Sequence, residues 1–257
     1  MISQAGSTGS DRSVGPWLGH AEAAAGPAYA AFNRSAAVAA PKGYDLIVQQ
    51  LIPGYASLAR LAVALLAASP LASVSGAPVL VAGCGTGAEL VEARAQRPDW
   101  KLTAIDPSAE MLHAAQVRLD APDIVWRQTT VEELGERDRY AGALSVLVLQ
   151  SLPDDGSKLA FLSALAGSLQ PGGQLVLVDR MAPERSPLQS QVEAALVGFQ
   201  RASGLEASAE ELVPLAQGIH PIGEARLTSL VEAAGFSDPA RVFQALGYEG
   251  FLLQRHP

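Results

Sequence analysis

The stretch VLVAGCGTGAEL, residues 79–90, constrains this chain more than any other. Val79 to Ala82 reads as a buried strand, and Ala88 to Leu90 reads as the opening of a helix. Between them the backbone has to turn sharply, and Gly83, Gly85 and Gly87 supply the residue type that tolerates a positive φ. A strand, a glycine loop and a helix in that order bring bare backbone close to a ligand, so the unit points to an open α/β sheet with a site at the strand's carboxyl end.

Composition bounds what surrounds this unit. The chain has 257 residues, 49% hydrophobic and 17% charged, enough for one sizeable core and a small appended subdomain. Its formal net charge of −8, with no basic run, disfavours tight binding to a phosphate backbone, which relies on clustered Lys and Arg. Cys84 is the single cysteine, so no internal disulfide forms, which fits a reducing cytoplasm. The first residues lack a charged start followed by an apolar stretch, and the apolar segment LAVALLAASPLASV is too short to span a bilayer and contains Pro70. The expectation is a soluble cytoplasmic protein without membrane contact.

No internal repeat is visible. Residues 1–20, rich in Ser and Gly, read as a disordered tail. Residues 21–75 read as a helical lid, in which Tyr44, Val48 and Leu51 share a face and Pro53-Gly54 ends one helix before a second from about Ala56 to Ala68. From Val79 strands at 79–82, 101–105, 123–128, 142–149 and 173–179 alternate with helices at 88–97, 108–119 and 156–169. Such alternation predicts a doubly wound α/β sandwich, here with seven strands across residues 76–257. A helical insert at 187–222 carries Leu188, Val192, Leu196 and Phe199 on one face and a further helix near 207–217. Another helix is expected near 224–234, and ARVFQALGYEGFLLQR reads as a hairpin closing the sheet.

Several ligands compete for the glycine loop. A nucleotide-hydrolase loop needs Gly-Lys-Ser/Thr after its spacer, and no lysine occurs here. The dinucleotide pattern is met by Gly83, Gly85 and Ala88, with Asp106 at the end of the second strand. Context separates the remaining readings. Gly87 extends the run, AIDPSAEML puts Asp106 just ahead of a helix, LQPGGQLVLVD places a turn before strand five, and about 78 residues precede the loop. In this order the motifs resemble the class I S-adenosylmethionine-dependent methyltransferases over residues 45–255, which implies S-adenosylmethionine as cofactor and a Rossmann-like fold.

The segments YDLIVQQLIPGYASL, SVLVLQSLPDD, GFQRASG and AGFSDPARVFQALGYEGFL narrow the pattern. They look like the carboxy-S-adenosylmethionine synthases, methyltransferase-fold proteins that modify the cofactor using prephenate. This resemblance implies cofactor contacts at Tyr55, Gly83, Asp106, Pro107, Thr130, Val131 and Ser145. Cys84, Gly85 and Gly87 in the loop, Met111 in the following helix and Gln150 after strand four complete the expected cofactor set. The chain departs from that family at Val81, where an acid is usual, at Thr130 in place of Asp, and at Ser145 in place of Asn. The family's carboxylate-clamping arginine has no counterpart in LEASAEELVPLAQGIHPIG, so the shared architecture is implied more than the carboxylating activity.

Each candidate has a plainer role beside the functional one. Asp106 competes as a simple helix N-cap. Cys84 reads as a small packed side chain. Tyr44 and Tyr55 could be core aromatics or pocket walls. Gln150, Phe199, Arg201 and His220, with Tyr44, form the expected substrate set; the plain readings are a turn residue, a core aromatic, a surface arginine and a loop histidine. The four histidines lack metal-ligand spacing, so no metal is expected.

Displacement at a sulfonium methyl needs alignment more than an acid, so no catalytic residue is singled out. The expected function is methyl transfer to a small-molecule acceptor in specialised metabolism, with a homodimer among the open possibilities. Cyclisation or aminocarboxypropyl transfer, carboxylation of the cofactor, and a non-catalytic binding role stand as alternatives.

Overall fold

A computed structural model describes residues 41–183, 186–206 and 218–257. The expected tail at 1–20, the first part of the lid and the helix near 207–217 lie outside the described residues. Elements are numbered among those described. They run α1 Pro41–Leu51, α2 Tyr55–Ala67, β1 Pro78–Ala82, α3 Ala88–Gln96, β2 Lys101–Ile105, α4 Ala109–Leu119, β3 Val125–Arg127 and β4 Tyr140–Val146. After a 3-10 turn at Leu149–Ser151 come α5 Ser157–Ser168, β5 Leu169–Arg180, α6 Gln189–Ala202, α7 Glu224–Ala233, β6 Ala240–Ala245 and β7 Tyr248–Gln254.

Seven strands form one sheet in the order β3-β2-β1-β4-β5-β7-β6. The first five pair in parallel, and β7 enters antiparallel between β5 and β6. The reversal of strand order at β1 and β4 opens a crevice at their carboxyl ends, where open α/β sheets bind ligands. Alternation along β1 explains why both faces must be covered. Val79 and Val81 enter one apolar layer with Val48, Leu58, Leu66, Leu90 and Leu112, so α1 to α4 pack there. Leu80 and Ala82 enter the other with Phe161, Leu165, Leu227 and Val231, from α5 and α7. Continuously buried strands of this kind are what parallel sheets require.

Three details depart from the sequence expectations. Strand four stops at Val146 because Leu147 takes a positive φ of 62°, although its N–H still makes the last ladder bond to the Val178 carbonyl at 2.6 Å. Strand five begins at Leu169, so Pro171-Gly172-Gly173 bulges within the strand: Tyr140 pairs with Leu169 but Gly142 already pairs with Gln174. Helix α6 buries none of its residues, and its expected apolar face leaves Leu188 and Val192 exposed. It meets the lid helix along a narrow seam, where Gln50 donates to the Gly204 carbonyl and Gln200 to the Leu51 carbonyl.

The hairpin turns through Leu246 and Gly247, both at positive φ, as a tight two-residue reversal demands. Its strand β6 reaches the joint between α1 and α2, since a Cβ at Gly54 would lie 3.1 Å from the Phe243 ring. No single helix among the described residues is long and apolar enough to cross a membrane.

Candidate functional site

The crevice holds two pockets that share Gly83 and Val148 as their common wall. The first, about 540 Å³ with its mouth, lies over the glycine loop and under the lid. Tyr44, Tyr55, Gly83, Cys84, Gly85, Thr86, Glu89, Asp106, Met111 and Ser151 are among its walls. The second, about 830 Å³ with its mouth, is lined by Ile105, Pro107, Thr130, Val131, Glu133, Leu152 and Phe161 among others.

Gly83, Gly85 and Gly87 all have positive φ, at 70°, 49° and 85°. At Gly83 space is as restrictive as conformation, because a Cβ would fall 2.4 Å from Val148 Cγ2. Asp106 is buried at the end of β2. Its Oδ2 accepts from the Gly85 N–H at 2.9 Å and its Oδ1 from the Ser108 N–H at 2.8 Å. The helix cap is Ser108, whose hydroxyl accepts from the Met111 N–H, so the N-cap reading of Asp106 is replaced. Asp106 instead ties the glycine loop to the start of α4.

The lid is latched to the same loop. Asp45 of α1 accepts from the buried Thr86 hydroxyl and from Arg118 Nη1, each at 2.6 Å, and Arg118 also donates to the Thr86 carbonyl. Burial raises the hydroxyl pKa of Tyr44 and of Tyr55, with Asp106 the next cause for Tyr44 and Glu89 for Tyr55, so both stay neutral. Burial also lifts the Cys84 thiol well above its ordinary value, with Asp106 and Glu89 adding to it, which makes Cys84 a packed side chain and a poor nucleophile.

The structure divides the sequence-derived candidates. Tyr44, Tyr55, Cys84, Gly85, Asp106 and Met111 converge on the first pocket, Pro107, Thr130 and Val131 on the second, and Gly83 on both. Gly87 lines neither pocket and serves packing, since a Cβ there would lie 2.8 Å from Leu119. The Thr130 hydroxyl accepts from the Glu133 N–H, which orients the turn beside the second pocket.

Ser145 and Gln150 line neither pocket. Ser145 is fully buried in β4 with its hydroxyl unpartnered, and Gln150 is buried with its Oε1 accepting from the Arg180 N–H. Phe199 is half-buried and Arg201 exposed on α6, and His220 donates its backbone N–H to the Gln150 carbonyl; none of the three lines either pocket. No metal-ligating cluster occurs among the described residues.

Sequence reasoning passed over Glu89, Thr86, Val148 and Ser151. Glu89 had a signal, since it shares the buried face of α3 with Leu90 and Ala93 and is the acid on that stripe. Its carboxyl pKa is raised to about 7, chiefly by burial; Asp45 raises it further, and its own backbone N–H and Arg118 act the other way. Behind the crevice, Asp179 accepts from the Gln150 N–H, and Lys158 donates to the Leu149 carbonyl at 2.5 Å. Together they pin the 3-10 turn that carries Ser151 and follows Val148.

A crevice at a topological switch point, a triple-glycine loop and an acid at the end of the second strand make up a ligand site of the open α/β type. Residues 79–173 match the methyltransferase domain family, and this stretch is such a domain, of the S-adenosylmethionine-dependent kind. The chain is 35% identical over 112 residues to a ubiquinone biosynthesis O-methyltransferase of Rhodopseudomonas palustris (strain HaA2), covering 43% of this chain and 42% of that one. It is 32% identical over 130 residues to a carboxy-S-adenosyl-L-methionine synthase of Shewanella sp. (strain ANA-3), covering 48% and 52%. The chain spans about half the length of the curated relatives it matches. Among solved structures, the 1,6-didemethyltoxoflavin-N1-methyltransferase of Burkholderia thailandensis superposes with a TM-score of 0.57 at 21% identity, covering 89% of each chain, which shows a shared fold.

Proposed function

We propose that this chain transfers the methyl group of S-adenosylmethionine to a small-molecule acceptor of specialised metabolism. The observation that carries the reading is the two-part crevice divided at Gly83 and Val148, apolar on one side and acidic and aromatic on the other. That division matches the chemistry of an adenosine joined to a charged amino-acid arm. Ile105, Val131 and Phe161 would take the adenine, Asp106 the ribose hydroxyls, and the compartment of Tyr55 and Glu89 the arm.

When bound, the cofactor supplies a methyl group already activated by its sulfonium. The chain's task is then alignment and exclusion of water. Tyr44 and Tyr55 roof the first pocket on α1 and at the start of α2, and the Asp45 latch holds that roof to the glycine loop. Neutral Tyr hydroxyls leave the acceptor's own nucleophile as the attacking group. The acidic balance of the chain and its lack of a basic run support a small acceptor over a nucleic acid.

Carboxylation of the cofactor is the second reading, favoured by the similarity to the Shewanella synthase. It is weakened by residues 205–223, which contain no arginine to hold a carboxylate. The test is to incubate the purified protein with S-adenosylmethionine alone and then with cell extract, identifying nucleoside products by mass spectrometry. S-adenosylhomocysteine formed only with extract supports the proposal. Methylthioadenosine from the cofactor alone, or a carboxylated cofactor on adding prephenate, overturns it.

A further inference from the structure

Glu89 is an anomaly in an otherwise explained pocket. It is 6% exposed, yet it lines the first pocket beside Tyr44, Tyr55 and the glycine loop. Among the described residues no Lys, Arg or His forms an ion pair with it. Arg118 acts on it only from a distance and is already committed to Asp45 and the Thr86 carbonyl. Its own backbone N–H favours its charged form. A buried carboxyl without a protein cation is costly to keep unless a ligand supplies the missing charge.

The surroundings narrow what that ligand group can be. Asp106 is the other acid that lines this pocket, and the two neutral tyrosines present aromatic walls. An anionic group set directly against Glu89 would be repelled, so the arm's carboxylate has to point away from it. A positively charged nitrogen meets the opposite situation, with a carboxylate to accept its hydrogens and aromatic faces beside it.

We propose that Glu89 is the subsite for the α-ammonium of the cofactor's amino-acid arm, an inference that rests on the cofactor reading above. Glu89 sits in the first turn of α3, directly after Gly83, Gly85 and Gly87, so an arm lying across that loop meets it before any other acid of the helix. It is a positioning residue: by holding the ammonium it fixes the arm and hence the line along which the methyl carbon is presented.

The experiment is calorimetric titration of the wild-type chain and of Glu89→Gln with three probes. These are S-adenosylhomocysteine, its analogue lacking the α-amino group, and methylthioadenosine. Glu89→Gln is expected to weaken S-adenosylhomocysteine about tenfold or more, as loss of a charge-assisted contact implies, while leaving the other two unchanged. Glu89→Asp, run beside it, is expected to recover part of the loss, and circular dichroism of each variant controls for folding.

Equal loss on all three probes, or no loss on any, overturns the assignment. Failure of the wild-type chain to bind any of the three refutes the cofactor reading itself, so the two claims fail separately.

Discussion

Gly83→Ala tests the wall between the two pockets. The substitution meets two separable penalties. At φ 70° an L side chain is in left-handed territory, costing about 1–2 kcal/mol. The added methyl also falls 2.4 Å from Val148 Cγ2, an overpacking penalty of about 1–3 kcal/mol. The variant should therefore lose about 2–5 kcal/mol. Only the second penalty depends on Val148. In Val148→Ala the nearest remaining atom, Cβ, is 3.6 Å from the new methyl, ordinary contact. That change alone should cost about 1 kcal/mol, because Val148 is only half-buried. The double variant should then be no less stable than Gly83→Ala alone. Urea unfolding of the four proteins gives the coupling directly, expected at about 1–3 kcal/mol in the rescuing direction. Strict additivity, within about 0.5 kcal/mol, would refute the claim that Val148 and Gly83 meet as a wall.

Three other outcomes are expected. Asp45→Ala strands the buried Thr86 hydroxyl and should cost about 1–3 kcal/mol, seen as faster hydrogen exchange in α1 than in α3; uniform exchange would argue against a latch. Asp106→Asn replaces one of two acceptor oxygens facing the Gly85 and Ser108 N–H groups, and should weaken S-adenosylhomocysteine at least about tenfold by calorimetry. Burial raises the Glu89 carboxyl from 4.5 to about 7, so the folded state keeps a proton that the unfolded chain releases. Its contribution to stability is therefore greatest below about pH 4.5, falls by roughly 3 kcal/mol toward pH 7 and is flat above. Stability profiles of wild type and Glu89→Gln should diverge with that sign in the absence of ligand, and parallel profiles would contradict it.

The parts of the site legible in the sequence were those whose local chemistry leaves no choice. Gly83 and Asp106 were readable because a strand-to-helix turn and a strand-end acid announce themselves within a dozen residues. The helix–turn–helix of the lid was marked by Pro53-Gly54. Gln150 is a polar residue past a strand end, which reads as a ligand contact, while its Oε1 accepts from the Arg180 N–H, 30 positions away and invisible to any local pattern. Ser145 faces the α5 layer by strand alternation and lines neither pocket. The Asp45 latch spans 41 positions to Thr86 and 73 to Arg118, and no local pattern reports a contact of that separation. Strand four ends early at Leu147, whose φ of 62° leaves the extended region even though its N–H still makes the ladder bond to the Val178 carbonyl, and no local pattern marks a leucine for that conformation.

The contact between Phe243 and the Gly54 joint bears on how the molecule is made. Ribosomes deliver the helices α1 and α2 first and the strand that backs their joint roughly 190 residues later, an interval on the order of 10–40 s. For that time the lid's hinge has no backing, and once β5 has been made the nascent sheet also carries an open edge. The β6–β7 hairpin fills both gaps at once, pairing with β5 and setting the Phe243 ring against Gly54. Synthesis therefore backs the hinge and covers the β5 edge in one late event, and a chain interrupted before the hairpin carries its Asp45 latch with no support behind the joint.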